Sequence, residues 1–372
     1  MLGIEYPILS AGMGPSLVGE KTGAPVELVV AVSEAGGLGV LGAAGYTVDA
    51  LREKIREIQK LTDRPFGVDL LLPGEIVKMG DREPEGPSTL PLSDALKTLP
   101  KTHYDWVMKV KEDFALPDID TTVSTGSTTT RPHAAVQVCI EERVPLFCSG
   151  LGNPGFMVEK AHAVGMKVLG IAGNTRNVGR IAASGADLVV AQGHEGGGHT
   201  GRVGSLALWP QAVDTAAPTP VLAAGGIGDG RGVAAALAIG CIGVWVGTRF
   251  LASTEGGALD IHKQAILEAN DEGTRRTLVY TGKTSRATYN CFHDLWEESG
   301  LEPLAFPAQV LLASAVVEMF NRVGKKEYLG PFAGQVVGLI KEIKPAAQIL
   351  EDMVEEAAEI LTRRLPESVI AS

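Results

Sequence analysis

Short apolar runs alternate with amphipathic stretches along most of the chain. The runs span about four to eight residues, which suits buried strands better than helices. We predict eight strands, at residues 7–14, 38–43, 66–72, 144–148, 167–171, 186–191, 220–224 and 242–247. Apolar residues at helical spacing, such as Val48, Leu51, Ile55 and Ile58, indicate an amphipathic helix. Helices are predicted at residues 26–35, 48–61, 132–143, 154–164, 174–184 and 229–239.

Strands that alternate with helices form a parallel sheet, because parallel neighbours need a crossover connection. The predicted strands are nearly continuous in apolar residues, as expected when both faces of a sheet are buried. Eight evenly spaced units therefore favour an α/β fold of the closed (β/α)8 type, a TIM barrel. An open doubly wound sheet is the alternative.

One stretch interrupts this repeat and another extends it. Residues 73–130 are rich in proline, charge, serine and threonine, which predicts a long insertion after the third strand. We expect a helix near residues 91–113 and a polar segment at 121–130, either a mobile loop or a structured lid. The predicted units are a barrel over 1–254 that carries this insertion, a smaller mainly helical region over 255–332 and C-terminal helices over 333–372 that pack back on the barrel.

Composition removes several classes of function. The net charge of -11 leaves no basic surplus to meet phosphates, which argues against a nucleic-acid-binding protein. The four cysteines show no C-x-x-C spacing, so neither a metal site nor a disulfide framework is expected. We find no signal-like N-terminus and no apolar run of about 18 residues, which predicts a cytoplasmic protein without membrane contact.

The richest local chemistry follows the sixth predicted strand. Residues 191–201 hold five glycines, His194, His199 and Glu195, with no large apolar side chain. Glycine lets backbone approach a ligand closely, and histidine titrates near neutral pH. We therefore predict that this turn faces a bound cofactor and substrate.

Two further glycine turns follow the seventh and eighth strands. Gly225 and Gly226 end one strand, and Gly247 and Thr248 end the other. In a barrel these two loops commonly bind a phosphate with backbone N–H groups and a helix start. Tight packing of strand on helix is the alternative reason for glycine there. No G-x-x-x-x-G-K-[ST] signature is present, so an ATPase loop is not expected.

These motifs together resemble the nitronate monooxygenase family of FMN-dependent barrels, also called 2-nitropropane dioxygenases. The resemblance covers most of the chain and rests on residues 7–13, 31–39, 192–201, 221–227 and 247–250. Thr281, Gly282, Lys283 and Arg286 extend it. It implies an FMN-dependent oxidoreductase that acts on a nitronate or nitroalkane with O2.

The resemblance also implies positions for the cofactor. The phosphate is expected on Gly225, Gly226, Gly247 and Thr248. The flavin ring is expected over residues close to the first and sixth strands: Ala11, Gly12, Met13, Gln192, Gly193 and Gly198. His199 ends the E-x-G-G-H run and is the implied catalytic residue, whereas His194 lies where the family varies.

Asp69, also expected at the cofactor, departs from the family pattern. The resemblance leads us to expect asparagine at this position of the third strand. An amide can donate a hydrogen bond to a flavin carbonyl or a nitro group, and an ionised carboxylate cannot. A carboxylate would also repel an anionic nitronate. Asp69 therefore weakens the assignment of the substrate but not that of the flavin.

The expected chemistry centres on His199. A neutral imidazole could remove the α-proton of a nitroalkane, and as a donor it could hold a nitronate. The flavin carries the redox step, while the protein positions the substrate and excludes water. His133, Lys283 and Arg286 are weaker candidates for substrate contact, with surface ion pairing as the alternative for the last two.

Other functions stay open at the level of sequence. The same turn and phosphate loops occur in FMN-dependent enoyl-thioester reductases and in flavin enzymes that act on acyl-CoA. A flavin-binding protein without catalysis would need the glycine loops but not His199. A barrel that binds a phosphorylated sugar or nucleotide without flavin is a fourth candidate. The use of NAD(P)H and the formation of a homodimer are also left open.

Overall fold

Eight parallel strands, one from each predicted apolar run, lie side by side around a central axis. The structure is a computed structural model that describes residues 1–14, 22–72, 74–80, 89–119, 122–124 and 131–369. The strands are β1 (Ile8–Ser10), β2 (Val40–Gly42), β3 (Gly67–Leu71), β4 (Leu146–Leu151), β5 (Lys167–Ala172), β6 (Leu188–Gln192), β7 (Val221–Ala224) and β8 (Gly243–Val246).

The sheet closes into the predicted barrel. Its strand order is β1-β8-β7-β6-β5-β4-β3-β2, with every neighbouring pair parallel. A parallel bridge between Leu9 and Leu38 joins the two ends, and the Ser10 N–H donates to the Leu38 carbonyl at 3.0 Å. The predicted TIM barrel is therefore confirmed.

Alternate residues of each strand fill different cores, which explains why the strands read as continuous apolar runs. Leu188 and Val190 belong to the cluster inside the barrel, together with Leu9, Leu169 and Trp245. The residues between them, such as Val189, join the cluster between the sheet and the surrounding helices. Both faces of each strand are thus buried.

Helices cover the outside of the barrel. The helices between successive strands are Val26–Glu34, Val48–Leu61, Pro132–Glu141, Val158–Ala163, Thr175–Ala182, Ser205–Ala216 and Gly230–Ile239. The predicted helix at 154–164 is divided, because Pro154–Phe156 forms a 3-10 turn before the helix begins. The helix Ser205–Ala216 was not predicted, and Pro210 lies inside it.

A helix from the C-terminal end of the chain completes this outer ring. Ala346–Glu359 packs against Val26–Glu34 and Gly230–Ile239, and Glu356 Oε2 accepts the Gly230 N–H at 2.8 Å. The C-terminal helices expected over 333–372 begin only at Ala346. Gln335–Leu339 forms only a 3-10 turn, since Pro345 prevents a continuous helix and places its start at Ala346.

The remaining elements lie after β3 and after β8. The insertion holds helices Gly74–Met79, Leu92–Leu96 and Lys101–Asp113, and strands Thr89–Pro91 and Thr122–Ser124 pair antiparallel. Most of the predicted polar segment at 121–130 lies outside the described residues. The elements that follow β8 are helices Thr248–Leu251, Asp260–Glu268, Cys291–Ser299 and Ala308–Arg322, strands Thr274–Thr277 and Ser285–Thr288, the 3-10 turn Lys326–Tyr328, the π-helical turn Ile360–Arg364 and helix Leu365–Val369.

The insertion and the region after β8 share one hydrophobic core. Leu96, Leu99 and Val107 of the insertion join a cluster with Leu312 and Phe320 from helix Ala308–Arg322. Aromatic contacts cross the same boundary: for example, Trp106 meets Trp296 at 5.0 Å between ring centroids, and Phe114 meets Phe320 at 5.2 Å. We call this joint unit, residues 89–119 and 291–332, the cap.

Strand pairing in residues 274–288 corrects one expectation. Sequence patterning predicts a mainly helical region there, but Thr274–Thr277 and Ser285–Thr288 form an antiparallel hairpin. Its inner strand also pairs with Gly198–His199, so the hairpin extends the turn that follows β6. Among the helices of the described chain, we find none with the length and apolar character needed to cross a membrane.

Candidate active site

A cavity of about 860 Å³ opens at the carboxyl ends of the barrel strands. Its floor and sides come from three parts of the chain, which are the strand ends, the glycine turn after β6 and the cap. The lining residues from the strand ends and their loops include Ala11, Gly12, Met13, Asp69, Gly150, Gln192, Gly225, Gly226, Gly247 and Thr248. Eight strands thus direct dispersed parts of the sequence into one site, as the fold predicts.

The turn after β6 is held in place by its own polar residues. Gln192 Nε2 donates to the His199 carbonyl at 2.8 Å. The Glu195 carboxylate accepts the Ser205 N–H at 3.0 Å, and the Ser205 hydroxyl lies 2.9 Å from Oε2. The Gln335 N–H donates to the Glu195 carbonyl at 2.9 Å. The oxygens of Glu195 therefore accept hydrogen bonds that hold the loop in place.

His199 lies at the end of this turn with its imidazole on the cavity wall. Its Nε2 is 3.1 Å from Thr281 Oγ1, which itself donates to the Lys283 carbonyl at 3.0 Å. Because the hydroxyl proton is used on that carbonyl, Nε2–H is the donor to Thr281. Nδ1 is then the free, basic nitrogen.

Burial keeps this imidazole uncharged. Loss of hydration, and then the positive charge of Lys283, lower the pKa of His199 from 6.5 to about 4. At neutral pH the ring is therefore almost entirely in the neutral form. Such a group can accept a proton from a substrate or donate one hydrogen bond to it.

Another part of the cavity lining comes from the two glycine loops after β7 and β8. No acceptor within the described chain meets the N–H groups of Gly225 and Gly226. Thr248 Oγ1 accepts the Gly334 N–H at 2.9 Å, which leaves its own proton free to donate. Unpaired amides and a hydroxyl on neighbouring strand ends are donors suited to a phosphate. These residues therefore fit the phosphate of a flavin mononucleotide.

Close packing explains another glycine of the site. A Cβ on Gly12 would lie 2.2 Å from Asp69 Cβ, so only glycine allows the loop after β1 to cross β3. This places Ala11, Gly12 and Met13 on the cavity floor beside Asp69. Gly12 leaves its backbone open to the cavity, as close contact with a ligand requires.

Four of the predicted residues do not line the cavity. Gly193 packs on the Ser205 side chain, where an added Cβ would come within 2.0 Å of Oγ, so its glycine serves packing and not ligand approach. His133 Nε2 lies 3.0 Å from the Val77 carbonyl, on the exposed side of its helix. The expected ligand contacts of these two residues therefore lack geometric support.

Arg286 and Lys283 also differ from the expectation of direct substrate contact. Arg286 Nε donates to the His194 carbonyl at 3.1 Å, and Nη1 donates to Thr274 Oγ1 at 3.0 Å. The guanidinium therefore ties the hairpin to the turn. Lys283 lies over the Phe306 ring at 5.3 Å and acts on the site through its charge near His199.

Some lining residues escaped prediction from sequence. Thr281, the partner of His199, was noted only as part of a motif. His262, 2% exposed, lines the cavity from helix Asp260–Glu268, and its Nδ1 has no hydrogen-bond partner within the described chain. The cap contributes an apolar wall that includes Leu92, Ala95, Leu99, Phe306, Leu311 and Phe332. A single histidine or leucine in a helix carries no sequence signal for such a role.

Comparison with known proteins gives a consistent result. A sequence model of the nitronate monooxygenase family matches residues 1–84 and 88–356. The protein named "Probable nitronate monooxygenase" of Staphylococcus saprophyticus is 32% identical over 377 residues, covering 98% of each chain.

Solved structures extend the likeness to three dimensions. A nitroalkane oxidase from Streptomyces ansochromogenes is 29% identical with a TM-score of 0.79, covering 97% of this chain and 98% of the other. FabK from Thermotoga maritima is 32% identical with a TM-score of 0.73, covering 99% and 97%.

Proposed function

Since the chain belongs to the nitronate monooxygenase family, whose members are flavin-dependent oxidoreductases, we propose that it uses FMN to oxidise nitronates with O2. One observation carries the proposal. A half-buried, neutral His199 faces a cavity that also presents unpaired backbone donors at Gly225 and Gly226. The chain thus offers an anion cradle and a base in one cavity.

FMN is the flavin that these donors favour. Its phosphate would lie on Gly225, Gly226, Gly247 and Thr248, and its ring on Ala11, Gly12 and Met13. When bound, it supplies the electron-accepting chemistry that the side chains lack. Gln192 and Gly198 stay predicted neighbours of the ring.

His199 is proposed to handle the proton. The free Nδ1 accepts the α-proton of a nitroalkane, while the Nε2–H bond to Thr281 fixes the ring. A substrate that arrives as the nitronate anion has already lost its α-proton. His199 would then hold it in the other tautomer, with Nδ1–H as the hydrogen-bond donor to the nitro group. Residues of the cap line the cavity with apolar side chains, which disfavour water beside the substrate.

A second candidate, an FMN-dependent reductase of enoyl thioesters, is favoured by the cap. Its wall on the cavity is largely apolar, with half-buried Phe306, Leu311 and Phe332. An acyl chain would find complementary surface there. This candidate requires NADH or NADPH, whereas the monooxygenase requires O2.

The test separates these functions with one preparation of the purified protein. The released flavin is identified by mass spectrometry, and we expect FMN and not FAD. Oxygen uptake with alkyl nitronates and with propionate 3-nitronate supports the monooxygenase. Anaerobic bleaching by NADH or NADPH, followed by turnover of an enoyl thioester, would instead establish the reductase.

The variant His199→Ala tests the catalytic assignment. We expect it to stay yellow and to lose about 10²- to 10⁴-fold in turnover of nitroalkanes, the usual contribution of general base catalysis. Full turnover by this variant would show that another group moves the proton. A protein that neither carries flavin nor takes it up would overturn the proposed function as a whole.

A further inference from the structure

Asp69 is a buried carboxyl group without an ionic partner. It lies on β3 and is 6% exposed, with its remaining surface on the cavity. Gly12 packs against one side and Gly150 against the other, since a Cβ on either residue would come within 3 Å of the Asp69 side chain. The carboxyl group therefore has one fixed position at the floor of the site.

The surroundings of Asp69 offer little to a negative charge. The Gly150 N–H approaches the carboxyl group, while Oδ1 has no hydrogen-bond partner within the described chain. The titratable group that faces it is the Cys148 thiol of β4, which pairs in register with Asp69 and is itself buried. Burial raises the pKa of Asp69 well above its usual range.

We propose that Asp69 is a neutral carboxylic acid that donates a hydrogen bond to an electron-rich atom of the bound flavin ring. The inference rests on the proposed function, because it takes flavin as the occupant of this cavity. It concerns the carboxyl group whose negative charge, if ionised, would repel an anionic nitronate substrate.

Protonation removes that obstacle in chemical terms. A protonated carboxyl group donates one hydrogen bond, as the amide of asparagine does, and carries no charge to repel a nitronate. The ring carbonyls and nitrogens of a flavin are acceptors. An ionised Asp69 would instead place an acceptor and a negative charge against them, at a cost that burial would increase.

Matched variants separate a neutral donor from a carboxylate. Asp69→Asn keeps a donor of the same size, so we expect its FMN dissociation constant to stay within about threefold of wild type. Asp69→Ala removes the hydrogen bond, and we expect FMN binding to weaken about tenfold. Asp49→Asn makes the same chemical change at an exposed position of helix Val48–Leu61 and serves as the control.

The pH dependence gives the second readout. The protonated form binds FMN, so wild-type affinity should fall as rising pH ionises Asp69, while Asp69→Asn should show no such fall. Infrared spectroscopy should detect the carbonyl stretch of a buried protonated carboxyl group in wild type that is missing in Asp69→Asn but present in Asp49→Asn. This measurement on wild type holds even if Asp69→Ala fails to fold.

The outcomes distinguish this inference from the proposed function. If wild type binds FMN but Asp69→Asn loses it as strongly as Asp69→Ala, Asp69 is not a neutral donor, and the flavin function stands. Absence of the infrared band from wild type would likewise show that Asp69 is not a neutral donor. If wild type itself binds no flavin, the proposed function fails first.

Discussion

Burial sets the ionisation state of His199 before any ligand arrives. An ordinary histidine would be largely protonated at mildly acidic pH and unable to accept a proton. Here the pKa is lowered from 6.5 to about 4, first by burial and second by Lys283. His199 is therefore neutral, the form in which the proposed base can accept a proton, across the neutral and mildly acidic range.

The pH profile tests this ionisation state. The neutral form is the active one, so kcat/KM for a nitroalkane should stay level as pH falls from about 8 to about 5 and decline only toward about 4. Lys283→Met removes the positive charge that disfavours the imidazolium, so its acidic limb should move to higher pH. Lys160→Met, an exposed change on helix Val158–Ala163, should leave the limb in place.

Circular dichroism at each pH separates the loss of a proton acceptor from unfolding. A wild-type limb close to 6.5 with an intact fold would show that His199 is not buried as described, or is not the base. An unchanged acidic limb in Lys283→Met would show that the charge of Lys283 does not lower the pKa of His199, and would leave the effect of burial standing.

Residues that line the cavity were predictable where they stand in a strand or soon after it. His199 and the paired glycines follow apolar runs, Asp69 lies inside one, and a barrel collects such positions in one place. Thr281 was not predictable as the partner of His199, because 82 residues separate them and no periodic pattern links them. Gly193 does not line the cavity, and close packing on Ser205 requires glycine there just as close approach to a ligand would.

At the scale of elements, the hairpin after β8 was the main omission. Its strands have the sequences Thr-Arg-Arg-Thr and Ser-Arg-Ala-Thr, which lack the alternation of apolar and polar residues that indicates a strand. The inner strand pairs with Gly198–His199, and its Arg286 holds the turn through the His194 carbonyl. The hairpin thus sets the position of His199.

Replacing Arg286 tests this role of the hairpin. Arg286→Met leaves the His194 carbonyl without its donor, which should cost about 1–3 kcal/mol of unfolding free energy. We expect turnover to fall about tenfold while FMN affinity changes little, because Arg286 contacts the turn at His194 and, within the described residues, makes no hydrogen bond to the loop at Gly225. Thermal melts, steady-state kinetics and flavin titration measure the three effects.

Arg275→Met is the matched control on the same hairpin. Arg275 pairs with Glu297 on the surface, where ion pairs contribute little, so we expect near wild-type stability and turnover. Should Arg286→Met instead raise KM for anionic substrates with kcat and stability unchanged, Arg286 would be a substrate contact and not a support of the turn.

At the scale of the whole molecule, the barrel and the cap have separate hydrophobic cores. The barrel was predictable because each unit repeats one local pattern. The cap was not, because it joins the insertion after β3 to residues beyond β8, nearly two hundred positions later. Both stretches were noted as departures from the repeat, but nothing in their sequences shows that they pack together.

A substitution in the shared core should loosen both halves of the cap together. Leu312 is fully buried in the cap cluster, so Leu312→Ala should destabilise it by about 2–5 kcal/mol. Hydrogen exchange should then rise in Lys101–Asp113 and in Cys291–Ser299, although they are distant in sequence, while Gly230–Ile239 in the barrel wall keeps its protection.

Ile55→Ala makes a comparable cavity in the barrel core and should give the opposite pattern of hydrogen exchange. Ile55 is fully buried between helix Val48–Leu61 and the sheet, so exchange should rise there and not in the cap. Exchange that rises in Cys291–Ser299 alone after Leu312→Ala would mean that the insertion is held by other contacts. Because the cap forms the apolar wall of the cavity, its loosening should also raise KM for nitroalkanes while the flavin stays bound to the barrel.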